Sequence, residues 1–230
     1  MLAIKNIIIS FFLLLGIFFP KDNINIVHIP ILGDIDMGLP YYIERGINSA
    51  NEESAQLIIF EIDTFGGRID AATRIKDLIL ESDIETIAFI NRRAISAGAL
   101  ISLSCDKIIM TNGATIGAAT AVNSQGEKAS EKVISYMREE MASTAEANGR
   151  SRQIAEAMVD ENISIDFMIS NTKEDTVRSD LIKGFKEGKL ITLSTINAIN
   201  LGIADNQLET INEIIKSYGI DHYTIITIEE

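Results

Sequence analysis

Tryptophan is absent from this sequence of 230 residues, proline occurs three times, histidine twice and cysteine once. A lone Cys105 excludes an intrachain disulfide and a thiolate zinc cluster. It lies in the apolar run Leu100 to Cys105 and is expected to pack as a small buried hydrophobe. Basic residues are scarce as well: 20 Lys and Arg stand against 33 Asp and Glu, a net charge of −13. That deficit argues against a protein that tracks phosphate backbones or docks a basic patch on anionic lipid, so no nucleic-acid partner is expected. The acidity itself reads as solubility. Long apolar runs are also lacking, with one exception.

The exception is Ile7 to Phe19, preceded by Lys5 and closed by Pro20-Lys21-Asp22. A basic start and a run this short fit a secretory signal better than a full membrane span. The small-x-small cleavage pattern is missing, so an uncleaved anchor stands beside a cleaved signal. Residues 1–20 are therefore assigned to a signal peptide or N-terminal membrane anchor, and 21–230 to one α/β domain. The expected location is membrane-associated or exported, on the extracytoplasmic side.

Ile24 to Ile29 alternates and predicts a first strand, while Leu57 to Ile62 and Thr86 to Ile90 are β-branched runs of the kind buried on both faces of a parallel sheet. Between them Ile69, Ala72, Ile75 and Ile79 recur at helical spacing, which makes a βαβ unit. Further strands are expected at Lys107 to Met110 and Leu190 to Leu193. A long helix is expected from about Ser130, with Val133, Met137 and Met141 on one face. Gly149-Arg150-Ser151 breaks it before a short helix, Gln153 to Val159. Asn206 to Tyr218 reads as a surface helix, and Asn171 to Glu187 as a charged, exposed excursion.

Two places break the local rules. Asp63-Thr64-Phe65-Gly66-Gly67-Arg68 puts a glycine pair between a buried strand and a helix, where uncovered N–H groups can hold an oxyanion or merely form a turn. Asp63 is expected to be structural, bonding backbone N–H groups. Ala94-Ile95-Ser96-Ala97-Gly98-Ala99 puts a hydroxyl at the first turn of a helix among small residues, open to a bulky electrophile or serving only as a cap. Both lie at C-terminal ends of strands in one presumed parallel sheet, where ligands usually bind. Gly67 N–H and Ala97 N–H would then form a two-donor hole beside Ser96.

Those segments, with Gly113 to Ala118, Gly149-Arg150, Ala155 to Val159 and Leu193 to Asp205, make the chain resemble the NfeD-type membrane-associated serine proteases of the ClpP/crotonase superfamily. The similarity in motif order runs from about Ile26 to Asp205. It implies a ClpP/crotonase-like spiral of βα units, with a mostly parallel sheet and outer helices. It also implies a nucleophilic Ser96 paired with a lysine at the start of the helix after Gly113 to Ala118, the position Lys132 holds. A lysine is a base only when neutral, a state that burial and the positive end of a helix favour. Lys128, in the polar loop, is the competing candidate.

The resemblance implies no metal or nucleotide cofactor. It implies a hydrophobic peptide or membrane-protein substrate, a stomatin-like partner among the candidates, and a homo-oligomer of at least two chains. The histidine of ClpP itself has no counterpart in Ile108 to Asn112, and His28 and His222 are expected to be structural or superficial. A crotonase-type acyl-CoA enzyme shares the paired N–H hole but gives no use for Lys132, and an inactive ClpP-like scaffold for membrane proteins is the third alternative. Departures are visible too. Phe65 stands where proline is more usual, and 171–187 looks like an insertion. Many family members continue into membrane helices and a small β-barrel, so attachment is expected from residues 7–19 or from a separate partner.

Overall fold

Three long strands at the centre of the molecule carry the site at their C-terminal ends. The computed structural model describes residues 23–123, 125–163 and 188–229; the apolar leader and the charged stretch 171–187 lie outside them. Strands β1 (Ile24–Ile35), β2 (Leu57–Gly67) and β3 (Glu85–Ile95) are parallel neighbours, with Ile29 beside Phe60 and Ile58 beside Thr86. Helices α1 (Leu39–Glu52) and α2 (Ile69–Leu80) make the crossovers between them.

β3 forks. Its first half pairs in parallel with β4 (Lys107–Met110) and its second half with β5 (Thr115–Gly117). Helix α3 (Ala97–Ser104) leaves the tip of β3. β6 (Thr192–Ser194) lies antiparallel on β5, β7 (Asn206–Gln207) lies on β4, and β8 (Tyr223–Thr227) closes the β1 edge in parallel. Helices α4 (Glu131–Ala147), α5 (Arg152–Val159), α6 (Thr195–Asn200) and α7 (Ile211–Ser217) complete the described elements.

The alternation along each strand explains why the central ones read as continuous apolar runs. Ile58, Phe60, Ile62, Ala88 and Ile90 enter the main core, which α2, α3, α4 and α5 help to fill. Their neighbours Leu57, Ile59, Ile87 and Phe89 point the other way and pack under Ile214 and Ile215 of α7. α2 buries Ala71, Ala72, Ile75 and Ile79, and α4 buries Ile134, Met137 and Met141, as their spacing requires. Cys105 is fully buried, and that burial pushes its thiol up, away from the reactive form.

Several boundaries differ from the expectation. β1 continues six residues beyond Ile29, because its tip pairs with Asp63 to Gly67 rather than turning away. The glycine pair likewise belongs to the end of β2 and not to a turn after it. The strand expected at Leu190 to Leu193 forms at Thr192–Ser194, where β5 offers an edge. The surface helix expected from Asn206 starts only at Ile211. Asn206 and Gln207 are drawn into pairing with β4, and Thr210 sets the helix start by accepting the Glu213 N–H at 3.2 Å. Ser130 precedes α4 as expected but makes no side-chain cap bond.

Candidate active site

Ser96 is the last residue before α3, in a backbone conformation that side chains rarely adopt. Its φ is +56° and its ψ −119°, and its hydroxyl makes no capping bond to the helix. A non-glycine residue held there costs about 1–3 kcal/mol and persists only where the surroundings enforce it. Here the Ser96 N–H is donated to Gly117 O at 3.0 Å, and Ser96 O accepts the Ala99 N–H at 2.9 Å. The serine is thus pinned on both sides, while its hydroxyl makes no hydrogen bond among the described residues. The capping role considered for it does not apply.

Small residues around Ser96 are required by contact. A Cβ on Gly98 would lie 2.5 Å from Thr64 Cγ2, so the helix presses directly on β2. A Cβ on Gly66 would lie 2.6 Å from Ser96 Cβ and 3.0 Å from its Oγ. Gly66 therefore touches the serine, a contact the sequence pattern did not reveal. The Gly66 N–H is occupied by Thr64 Oγ1 at 2.9 Å. Arg68 N–H is donated to Ile35 O at 2.8 Å, which ties the end of β2 to β1. Ala97 is the first residue of α3, where backbone N–H groups have no intrahelical acceptor.

Gly66 and Gly67 open onto a cleft of about 1350 Å³, whose other walls include Ile69 of α2, Val122, and Val133 and Tyr136 of α4. Lys76 and Glu140 at 2.9 Å fasten α2 to α4. Lys132 is the second residue of α4, beside Val133, at the positive end of the helix. Its side chain is exposed rather than buried, and no hydrogen bond joins it to Ser96. Among the described residues it also has no ion-pair partner. Lys128, by contrast, is held by Glu161 at 3.0 Å.

Asp63 departs from the expectation: it pairs with Arg93 at 2.8 Å instead of with backbone N–H groups. Arg93 in turn lies over the Phe65 ring, 4.4 Å from its centroid. The basic pair Arg92-Arg93, so close before Ser96, was the signal that could have exposed this arrangement.

Neither histidine serves Ser96. His222 is exposed ahead of β8. His28 crosses the sheet to Glu61 at 2.9 Å, and Asn91 donates to the same carboxylate at 2.7 Å. The His28 contact foremost, with help from Asn91, holds the Glu61 carboxyl below its ordinary value of 4.5 against the opposing effect of burial. A depressed carboxylate contributes stability above its unfolded pKa and loses it as pH falls through the folded one. Glu61→Gln is thus expected to be destabilising at neutral pH, with the gap from wild type closing in urea titrations as pH falls below the ordinary carboxylate range. A gap that stays constant as the solution is acidified would contradict the assignment.

Comparison with known proteins agrees with this architecture. The family model described as NfeD1b, N-terminal domain, matches residues 25–228. The chain belongs to that family. It is 34% identical over 193 residues to the membrane protein NfeD1b of Bacillus subtilis, covering 84% of this chain and 41% of the relative. It is 31% identical over 170 residues to the membrane-bound protease PH1510 of Pyrococcus horikoshii, covering 70% and 38% respectively. The NfeD1b-type chain thus spans about two fifths of each of these relatives.

Among solved structures, a lysine-to-alanine mutant of the 1510-N membrane-bound stomatin-specific protease, in complex with a substrate peptide, superposes with a TM-score of 0.72. Identity is 24%, over 91% of this chain and 94% of that one. ClpP1 from Listeria monocytogenes gives 0.58 at 19% identity, over 81% and 94%. The fold of this NfeD1b-family chain is ClpP-like, a mixed α/β fold with a mainly parallel sheet, as its motifs implied.

Proposed function

We propose that this chain is a serine endopeptidase in which Ser96 is the nucleophile and Lys132 its base. The observation that carries the reading is Ser96 itself, fixed in a strained conformation with a free hydroxyl at the end of β3, against Gly66. Kinship with a membrane-bound protease supports it. So does the fact that two of the similar structures are alanine mutants of one serine and one lysine, the residue types at these two positions.

In the reaction, neutral Lys132 Nζ takes the Ser96 proton and Oγ attacks a peptide carbonyl carbon. Gly67 and Ala97 N–H groups stabilise the oxyanion of the tetrahedral intermediate. The C–N bond breaks, the lysine proton passes to the leaving amine, and an acyl-serine remains. Lys132 then deprotonates a water that attacks the acyl group, and Ser96 regains its proton as the acid product leaves. For Lys132 this requires hydrogen-bond reach once substrate fills the cleft, since catalytic contacts commonly tighten only in the complex.

The substrate we assign is a hydrophobic segment of a membrane protein, a stomatin-like partner by analogy with the 1510-N protease. Residues 1–20 would bring the domain to the membrane as signal or anchor, and the working form would be at least a dimer. Among the described residues no helix is long and apolar enough to cross a membrane.

The test is cleavage of an apolar peptide library by residues 21–230, beside Ser96→Ala and Lys132→Ala. Both variants should lose about three orders of magnitude or more in kcat/KM, each nearly as much as the double variant, because a dyad acts as a unit. Activity that survives in Lys132→Ala would remove that lysine from the mechanism. One observation favours a second reading, an inactive scaffold: Lys132 is exposed and unbonded to Ser96. That reading gains if wild type is inert on every peptide.

A further inference from the structure

Among the described residues Phe65 is the most exposed of the large hydrophobic side chains, 69% open to solvent, and it stands one residue from the glycine that touches the nucleophile. Adjacent Cα atoms lie about 3.8 Å apart, so the ring is rooted at the mouth of the site. It borders the large cleft beside Gly66 and Gly67, and also a second cleft of about 500 Å³ lined by Asn91, Arg92, Arg93 and Ile95. The ring is not loose. Arg93 covers one face at 4.4 Å, and Asp63 holds Arg93 at 2.8 Å. Such a stack favours one orientation of the ring without burying it.

We infer that Phe65 is a specificity-determining residue, and that its open face receives a large apolar or aromatic side chain of the peptide lying beside the bond at Ser96. Asp63 and Arg93 are positioning residues that preset the ring. An ordered, exposed aromatic is the residue type that gains most from binding, since its rotamer freedom is already lost and its apolar area is still wet. This inference rests on the protease reading for what the bound peptide is, but its test does not depend on catalysis.

The experiment uses the full chain carrying Ser96→Ala. Fluorescein-labelled peptides of apolar residues, each with one Phe, are compared by anisotropy with their Phe-to-Ala counterparts, the Phe being moved along the peptide. At one position the Phe peptide should bind about tenfold more tightly, and Phe65→Ala should abolish that preference. Phe65→Leu should keep part of it. Arg93→Ala should weaken it, and Arg93→Lys should restore it in part. The unfolding midpoint of Phe65→Ala should stay at the parent value, because the ring is exposed.

A preference that persists in Phe65→Ala overturns the inference. So does a change in oligomeric state alone, which would make Phe65 a contact between copies of this chain, and so does failure of every peptide to bind. If the preference follows Phe65 while chains with Ser96 cut nothing, the protease reading falls and the inference stands. If they cut and Phe65→Ala is indifferent, only the inference falls.

Discussion

Gly66→Ala should silence the chain and lower its stability by about 2–4 kcal/mol. Two effects add. The new methyl carbon would stand 2.6 Å from Ser96 Cβ and 3.1 Å from Ile95 O, so β2 and the tip of β3 must separate. The φ of +112° at Gly66 also lies in a region that an alanine adopts only with strain. Separation would move Ser96 relative to the Gly67 N–H, and a displacement of about 1 Å at a reacting group can cost about a hundredfold in rate. Urea unfolding beside peptide cleavage distinguishes the parts. A variant with wild-type activity would mean that Gly66 does not set the position of the serine.

Arg150→Ala should cost about 3–5 kcal/mol without touching the site directly. Gly149 ends α4 with its backbone at φ +70°, and the Arg150 N–H then reaches back to Ala145 O at 2.7 Å, as a Schellman turn demands. That turn drives the Arg150 side chain inward. Its guanidinium donates to Ile203 O at 3.1 Å, to Cys105 O at 2.9 Å and to Asp106 O at 3.0 Å, and meets Asp205 at 3.4 Å. Alanine would take this donor from the buried Ile203 and Cys105 carbonyls, each at a penalty of about 1–3 kcal/mol before water relieves some of it.

Arg152, two residues on, is the control. It carries three carboxylates, Glu139, Glu146 and Glu156, yet lies on the surface, so Arg152→Ala should scarcely move the unfolding midpoint. Equal losses from the two arginines would contradict the burial argument.

Physical constraints decided what could be read in advance. β2 and β3 were plain from their β-branched runs because both faces of those strands are buried, and α2 and α4 because only one face is. α1 escaped notice although Tyr42, Ile43, Ile47 and Ala50 lie on its buried side. β7 and β8 depend on edges that other strands offer, which no local pattern encodes. At the site, Ser96 and the glycines were legible from the crowding of small residues around a hydroxyl. The contact of Gly66 with Ser96 was not, because it depends on how the ends of β2 and β3 lie past one another beyond their last regular pairs. Nor was the Asp63–Arg93–Phe65 stack, which depends on the irregular pairing between Ile62 and Thr64.

The central claim is that Ser96 is activated, and covalent labelling tests it most directly. Wild-type chain, Ser96→Ala and Lys132→Ala would each be treated with a fluorophosphonate and the modified residue located by peptide mass spectrometry. The account predicts one phosphonate per wild-type chain, on Ser96, with little or none on either variant. Folded wild-type chain that stays unlabelled at Ser96, or Lys132→Ala labelled as fast as wild type, would contradict it.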